Sequence, residues 1–292
     1  MRSDFKVTLL GTGDPQPRLD RFGPSTLVEA GHQRLLFDCG RGTMQRINQI
    51  DTNASTFNKL FLTHLHSDHT TGIPDLWITG HLRQRKENPL HIWGPHGTVE
   101  MTKHIQQAFK IDVQVRKESA SYHDMPLNRE GLLIEALDIM EGFVFEANDV
   151  KVIPFRVNHH DIYSDVASLG YRIEYDGRVV VLSGDTRYCE NLIKYSEGVD
   201  LLVHEVAAVP LGEEVSTRYR GALSHHTSPE DCGKVFSIAK PSLAVFTHVF
   251  QFQGVSLEEM MRRARSEYDG SVVFGEDMMQ IEVGDSVRVL NP

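Results

Sequence analysis

The sequence predicts an α/β protein of the αββα class, two β-sheets packed face to face with helices on the outside. Three observations carry that expectation. Apolar stretches of strand length open each half of the chain, and helical stretches follow them. No Pro/Ser-rich linker or low-complexity tract separates the halves, so residues 1–292 read as one domain built from two similar halves. Side chains able to bind metal recur just past the ends of apolar strands.

Taken in order, Phe5 to Leu10 alternates and runs into Gly11-Thr12-Gly13-Asp14-Pro15, a strand and then a loop. Ser25 to Ala30 and Arg34 to Asp38 read as a hairpin about Gly31-His32-Gln33. Thr43 to Ile50 is a short helix, Asn58 to His64 a strand, and Gly72 to Arg85 helical. Leu90 to Trp93 is a short strand, and Thr98 to Phe109 a helix with apolar residues at Val99, Ile105 and Phe109. Residues 110–140 are polar in places and are expected as an extended connection or a lid. A second β-rich half follows in Phe143 to Ala147, Val150 to Val157, Leu169 to Tyr175 and Val179 to Leu182, with Gly177 at a hairpin turn. Helix and strand then alternate: Cys189 to Tyr195 helical, Leu201 to His204 extended, Pro229 to Ala239 helical, Leu243 to Thr247 extended, Leu257 to Tyr268 helical. The last strands lie between Ser271 and Leu290. Ser228 before Pro229-Glu230-Asp231 is a helix N-cap with Pro at the first helical position.

At 292 residues the chain can bury a full core without disulfides. Cys39, Cys189 and Cys232 are an odd count with no close pair and read as reduced structural thiols. No apolar run approaches the ~20 residues a membrane helix needs, and Met1 to Phe5 shows no signal-peptide core; a cytoplasmic location is expected. A formal charge of −10 argues against a polyanionic partner, although bound divalent metals would add positive charge where it matters.

The densest chemical signal is His64-Leu65-His66-Ser67-Asp68-His69, four metal-ligand side chains in six residues, directly after Leu60-Phe61-Leu62. A still-extended backbone places His64, His66 and Asp68 on one side, because the strand period is two. A helical turn beginning at Asp68 swings His69 to a neighbouring position. One loop thus offers two imidazoles to one cation, and a carboxylate plus an imidazole to a second, a donor set suited to Zn²⁺. Further candidates sit at other strand ends. Asp185 follows Val179-Val180-Val181-Leu182-Ser183-Gly184, and His248 follows Leu243-Ala244-Val245-Phe246-Thr247. His159 follows Val152 to Asn158, with His160 an equal rival on these grounds. His204-Glu205 and His225-His226 could serve proton transfer, and His226 lies beside the positive end of a helix. Gly11-Thr12-Gly13 lacks the rest of either nucleotide fingerprint.

Together these residues resemble the metallo-β-lactamase superfamily, in particular its ribonuclease Z and arylsulfatase-like branch. Leu9-Leu10-Gly11-Thr12-Gly13 with Leu36-Phe37-Asp38-Cys39-Gly40-Arg41-Gly42-Thr43 looks like the amino-terminal signature, and the His64–His69 loop matches His-x-His-x-Asp-His. Gly184-Asp185-Thr186, Val203-His204-Glu205, His226-Thr227-Ser228 and Phe246-Thr247-His248 match later motifs in order. The resemblance implies one metal held by His64, His66, His159 and Asp185 and a second by Asp68, His69, Asp185 and His248. Val157-Asn158-His159 matches the family's Val-x-His, which favours His159 over His160. Asp68 would orient the nucleophile, His226 would protonate the leaving oxygen, and His204 and Glu205 would support them from behind. Many ribonuclease Z enzymes carry a long tRNA-gripping arm between the third-site histidine and the bridging aspartate. Here Ser168-Leu169-Gly170-Tyr171-Arg172 runs through one tight hairpin into Asp185, with no room for that arm.

The expectation is therefore a hydrolase with two Zn²⁺ (Mn or Fe also accepted by such donors). Its substrate would be a small ester: an aryl sulfate, a phosphodiester, or a carboxylic ester, lactone or amide. A tRNA 3′-end endonuclease is the alternative enzyme, and a non-catalytic metal-binding protein the alternative of another class. A small-molecule partner is expected, nucleic acid and membrane are not, and a homodimer is left open.

Overall fold

The computed structural model describes residues 4–50, 56–82, 89–123, 130–159, 166–210, 217–252 and 254–290. Two mixed sheets lie face to face. The first comprises β1 (Phe5–Gly11), β2 (Ser25–Ala30), β3 (Gln33–Phe37), β4 (Lys59–Phe61), β5 (Leu90–Gly94), β6 (Ile134–Asp138), β14 (Gln280–Val283) and β15 (Val287–Leu290), in the order β15-β14-β1-β2-β3-β4-β5-β6. The second comprises β7 (Phe145–Ala147), β8 (Val150–Val157), β9 (Ser168–Tyr175), β10 (Arg178–Leu182), β11 (Leu201–Ala208), β12 (Leu243–Gln251) and β13 (Val272–Phe274), in the order β13-β12-β11-β10-β9-β8-β7. Each sheet begins with antiparallel hairpins and turns parallel where helical crossovers intervene, from β3 to β6 and from β10 to β13. The β14–β15 hairpin returns to the first sheet, β14 pairing β1 with Lys6 opposite Glu282. The end of the chain thus completes the sheet begun at its start.

The strand period builds three apolar layers. In β1, Phe5, Val7 and Leu9 enter the core between the sheets, and Leu10 faces the outer helices. In β4 and the residue after it, Phe61 points inward and Leu60 and Leu62 outward. Phe61 stacks on Phe37 at 5.2 Å and on Trp93 at 4.8 Å, filling the central layer. Outside the first sheet, α1 (Thr43–Gln49), α2 (Ser67–Thr70), α3 (Ile73–Leu82) and α4 (Thr98–Ala108) follow in order, and Met44, Ile47, Leu76 and Trp77 of α1 and α3 cover its outer face. Outside the second, Leu192 of α6 (Glu190–Ser196), Phe236 of α8 (Pro229–Ala239) and Met260 of α9 (Leu257–Arg265) do the same. Ser228 caps α8 by accepting from Asp231 N, as its sequence requires.

The strand expected over Asn58–His64 covers Lys59–Phe61, the one expected over Leu243–Thr247 runs on to Gln251, and two further expectations change. Part of the 110–140 stretch is α5 (Lys110–Tyr122), followed by β6, where an extended connection or lid was expected. Pairs spaced for a helix support it: Arg116 with Asp112, and Gln114 with Glu118. The strand expected to stop at His204 continues to Ala208, buried throughout. One further helix, α7 (Thr217–Leu223), lies in a stretch to which no element was assigned. Among the described residues no helix is long and apolar enough to cross a membrane.

Candidate metal centre

The site forms where strands end at one edge of the sandwich. The loop after β4 is fixed from below by Asp38, whose Oδ1 accepts from Thr63 N at 2.8 Å and whose Oδ2 accepts from Thr63 Oγ1 at 2.9 Å. His66 is the N-cap of α2, so Asp68 and His69 leave on a helical turn while His64 and His66 stay extended. The neighbouring loop seals this turn: Cys39 N donates to His69 O, and Gly72 N donates to Cys39 O, each at 2.8 Å. A Cβ on Gly40 would strike the Asp68 carbonyl, so only glycine allows that approach. Across the sheets, Leu169 N donates to Thr63 O at 2.8 Å and Tyr171 Oη donates to Leu62 O at 2.6 Å.

The second half delivers its residues singly. His159 ends β8. Asp185 follows Gly184, which has φ +60° and would place a Cβ 2.6 Å from Leu169 O. His248 sits in a β-bulge of β12: Glu205 pairs Thr247 and Val206 pairs Val249, leaving His248 as the extra residue at φ +44°. A bulge beside a site re-aims one side chain, and here it turns an imidazole toward Asp68 and Asp185.

The structure brings together His64, His66, Asp68, His69, His159, Asp185 and His248. His66 Nδ1 lies 3.0 Å from His64 Nε2 and 3.3 Å from His159 Nε2. Asp185 Oδ2 lies 3.8 Å from His64 Nε2, 3.4 Å from His69 Nε2 and 3.3 Å from His248 Nε2. Asp68 Oδ2 lies 3.3 Å from His248 Nε2 and 3.6 Å from His69 Nε2. Two donor groups thus share Asp185. Ligand atoms about 2.1 Å from a tetrahedral ion stand about 3.4 Å apart, so these spacings suit two divalent cations. The far nitrogens agree. His69 Nδ1 donates to Asp38 Oδ2 at 2.8 Å, His159 Nδ1 to the His225 carbonyl at 2.8 Å, and His64 Nδ1 to Thr63 Oγ1 at 3.0 Å. Each leaves Nε2 as the lone-pair nitrogen. Among the described residues His69 Nε2 is buried with no hydrogen-bond partner, the kind of orphan a cation would satisfy. His160 lies outside the described residues.

Charge inside the cluster is balanced by protons. Burial, and then His69, push His64 well below the ordinary histidine value. Burial also opposes charge on His69 and His248. The carboxylates together outweigh it, Asp185 and Asp38 at His69 and Asp185 and Asp68 at His248, so His69 rises well above its ordinary value and His248 to about 9. Burial would raise Asp185, but His248 and His69 hold it well below the carboxylate range. Cation binding must displace such protons from the ligand nitrogens.

Behind the donors, Glu205 Oε1 accepts from His226 Nδ1 at 3.0 Å, Thr186 N at 3.1 Å and Thr227 N at 3.2 Å. A nitrogen of His226 lies within 4.8 Å of ligand atoms of His159 and Asp185. His204 does not join them. It points to the other face of β11, where Nδ1 donates to the Glu205 carbonyl at 2.6 Å and the ring meets Phe236 edge-on at 5.7 Å. Asp38 was not proposed from the sequence as a site residue. It supports His69 directly and His64 through Thr63, and its place at the end of an apolar strand was the available signal.

With this geometry in view, the chain can be set beside known proteins. The Beta-lactamase superfamily domain matches residues 33–249. The chain belongs to the β-lactamase superfamily. A protein named Ribonuclease Z from Mycolicibacterium gilvum (strain PYR-GCK) is 34% identical to this superfamily member over 287 residues, 97% of this chain and 98% of its own. One of the same name from Mycobacterium bovis (strain BCG / Pasteur 1173P2) is 34% identical over 283 residues, 96% and 98%. In fold, the chain is similar to the metallo-β-lactamase fold protein YhfI of Bacillus subtilis, with TM-score 0.72, 18% identity, and 94% and 98% of the two chains covered. It is also similar to the short form of human tRNase Z, with TM-score 0.67, 22% identity, and 96% and 99% covered.

These relatives correct one expectation. A small-molecule substrate with nucleic acid set aside conflicts with relatives named for ribonuclease activity. The missing arm weighed against RNA, but the end-to-end match leaves space for no long insertion on either side. The arm's absence therefore does not separate this chain from those relatives. The net charge of −10 misled because it averages the whole surface, whereas the site itself is built to collect cations.

Proposed function

We propose that this member of the superfamily, a metal-dependent hydrolase, is an RNA phosphodiesterase of the ribonuclease Z type, cutting precursor tRNA at its 3′ side. Identity of 34% along nearly the whole chain to proteins of that name carries the reading. The two donor groups meeting at Asp185 supply a site that fits it. In this reading residues 1–292 are a single domain. His64, His66, His159 and Asp185 would hold one Zn²⁺, and Asp68, His69, His248 and Asp185 the other. Bound there, zinc supplies Lewis-acid polarisation of water and of the phosphoryl oxygen. The chain's own residues do the rest. Asp68 orients the attacking water by accepting its hydrogen bond. His226 holds a proton for the leaving ribose oxygen, and Glu205 fixes the ring that carries it.

The test is a substrate panel on zinc-loaded protein: precursor tRNA, bis-aryl phosphate, aryl sulfate and lactone. Cleavage of precursor tRNA at one position beyond the acceptor stem is expected. Turnover of the other substrates with the RNA left intact would sink the reading.

A further inference from the structure

Beside His226 a row of aromatic rings leads away from the site. Phe250 on β12 meets the His226 ring edge-on, with centroids 5.8 Å apart. Phe252 follows on the same face of the strand, 4.1 Å from Phe250, and Tyr219 on α7 packs against Phe252 at 4.8 Å. Val249, of the opposite parity, enters the helix-covered core instead. Among the described residues, Phe250, Phe252 and Tyr219 belong to none of the three apolar cores. Phe252 is buried, whereas Phe250 and Tyr219 at the two ends are each only partly covered.

Charge flanks the row. Arg220, next to Tyr219, is exposed and makes no ion pair among the described residues. On the other flank Arg18 Nη1 donates to Gln251 Oε1 at 3.5 Å, between the two phenylalanines, although Asp20 holds its charge. A partly exposed aromatic row with an exposed arginine next to it in sequence, unpaired among the described residues, in a chain of net charge −10, fits an anionic ligand that carries a flat ring. Single-stranded nucleic acid has that chemistry: aromatic faces take the bases and cations take the backbone. The step from His226 to Phe250 is on the scale of one ribose.

Resting on the ribonuclease reading, we propose that Phe250 and Tyr219 form a stacking subsite for the nucleobase adjoining the scissile phosphate, with Arg220 beside the next phosphate. The Phe252 ring braces both platforms from behind. Stacking accepts any base, so the subsite adds affinity for an unpaired nucleotide and leaves sequence unread.

A cycle of variants against substrates tests this. Zinc-loaded wild type and Phe250→Leu are compared on two short RNAs, one with 2-aminopurine beside the scissile linkage and one abasic there. Wild type should quench the 2-aminopurine on binding. Phe250→Leu should weaken binding of the base-bearing RNA roughly 5- to 150-fold, the range set by base–aromatic stacking. On the abasic RNA wild type and Phe250→Leu should differ by less than about twofold, because no stack is there to lose. Phe250→Trp should restore binding and quenching, which separates stacking from damage to the fold. Arg220→Gln should lower the salt slope of binding by about 0.7, one phosphate's worth on a single strand. Equal losses on both RNAs, or no quenching by wild type, would overturn the subsite while leaving RNA cleavage intact. A wild type that hydrolyses bis-aryl phosphate but neither binds nor cuts RNA would overturn the subsite together with the reading beneath it.

Discussion

The two donor groups differ in what surrounds them. His64, His66 and His159 form a group of imidazoles alone, and His66 among them is exposed. Asp68, His69 and His248 are all buried, and the group carries a carboxylate of its own besides the shared Asp185. A buried carboxylate must be compensated, by protons or by a cation, whereas an imidazole at an open position can turn to water. The buried group should therefore fill first and empty last. The open group is the one placed to meet a substrate and exchange its ion.

Asp185 belongs to both, so changing it should erase the difference. Asp185→Asn removes the anion that faces His64, His69 and His248 at 3.3–3.8 Å. Loss of both metal equivalents is expected, with activity down by more than about 10³-fold, beyond the usual cost of one oxyanion donor. Metal analysis after desalting decides it. A variant that keeps one equivalent tightly and most of its activity would show that the groups do not depend on a shared acid.

His226 tests whether proton supply is separate from metal holding. Its ring is oriented by Glu205. His226→Ala should keep both metals while kcat falls by about 10²–10⁴-fold, with smaller losses for substrates that have good leaving groups. Burial opposes protonation of His226, but Glu205 and then Asp185 raise its pKa above the ordinary value. The acid must be protonated to act, so wild-type activity should fall as pH rises through a value above ~6.5. That alkaline limb should vanish in the variant. Metal lost along with activity would make His226 a ligand.

The same contrast explains what the sequence could reveal. The first half writes its donors contiguously, because one loop and one helical turn present His64, His66, Asp68 and His69 together. The second half spreads His159, Asp185 and His248 over some ninety residues, and only the recurring pattern of apolar strand then ligand marks them. The bulge at His248 left no visible sign, because a bulge is a matter of pairing between β11 and β12. Parity was the signal overlooked at His204-Glu205. Val203 faces the core between the sheets, so His204 must face the helices and Glu205 the site. The helix α5 escaped because its partly apolar surface, with Ile111 and Val115 exposed, shows no clean stripe.

Asp38 sharpens the comparison, since it reaches both groups unequally. It bonds His69 directly and reaches His64 only through Thr63. Asp38→Asn keeps the size but weakens the acceptor for His69. Metal affinity should fall about 10- to 100-fold, the usual cost of losing support behind a ligand. Competition with a chelator should show the larger loss at the tightly held equivalent. Thr63→Val, which spares the Asp38–His69 bond, should weaken the other equivalent more.

The smallest effect is expected at His204, although it stands next to Glu205 in a motif that reads as a catalytic pair. Its ring is fully buried among Phe236 and Cys232, on the face of β11 away from the donors. Burial lowers its pKa, whereas His69, His226 and His248 are raised by neighbouring carboxylates. Among the described residues Nε2 has no hydrogen-bond partner, and a leucine would remove that unsatisfied atom. The leucine also removes the Nδ1 bond to the Glu205 carbonyl, but the Cys232 thiol still donates to that oxygen at 3.4 Å. Gain and loss are each about 1 kcal/mol and opposite in sign. His204→Leu should therefore melt within a few degrees of wild type, bind two metals and turn over within about threefold of it, a difference under 1 kcal/mol. A hundredfold loss of kcat with metals retained would mean that the ring sets the position of the Glu205 carboxylate through the strand, and that the two faces of β11 are not independent.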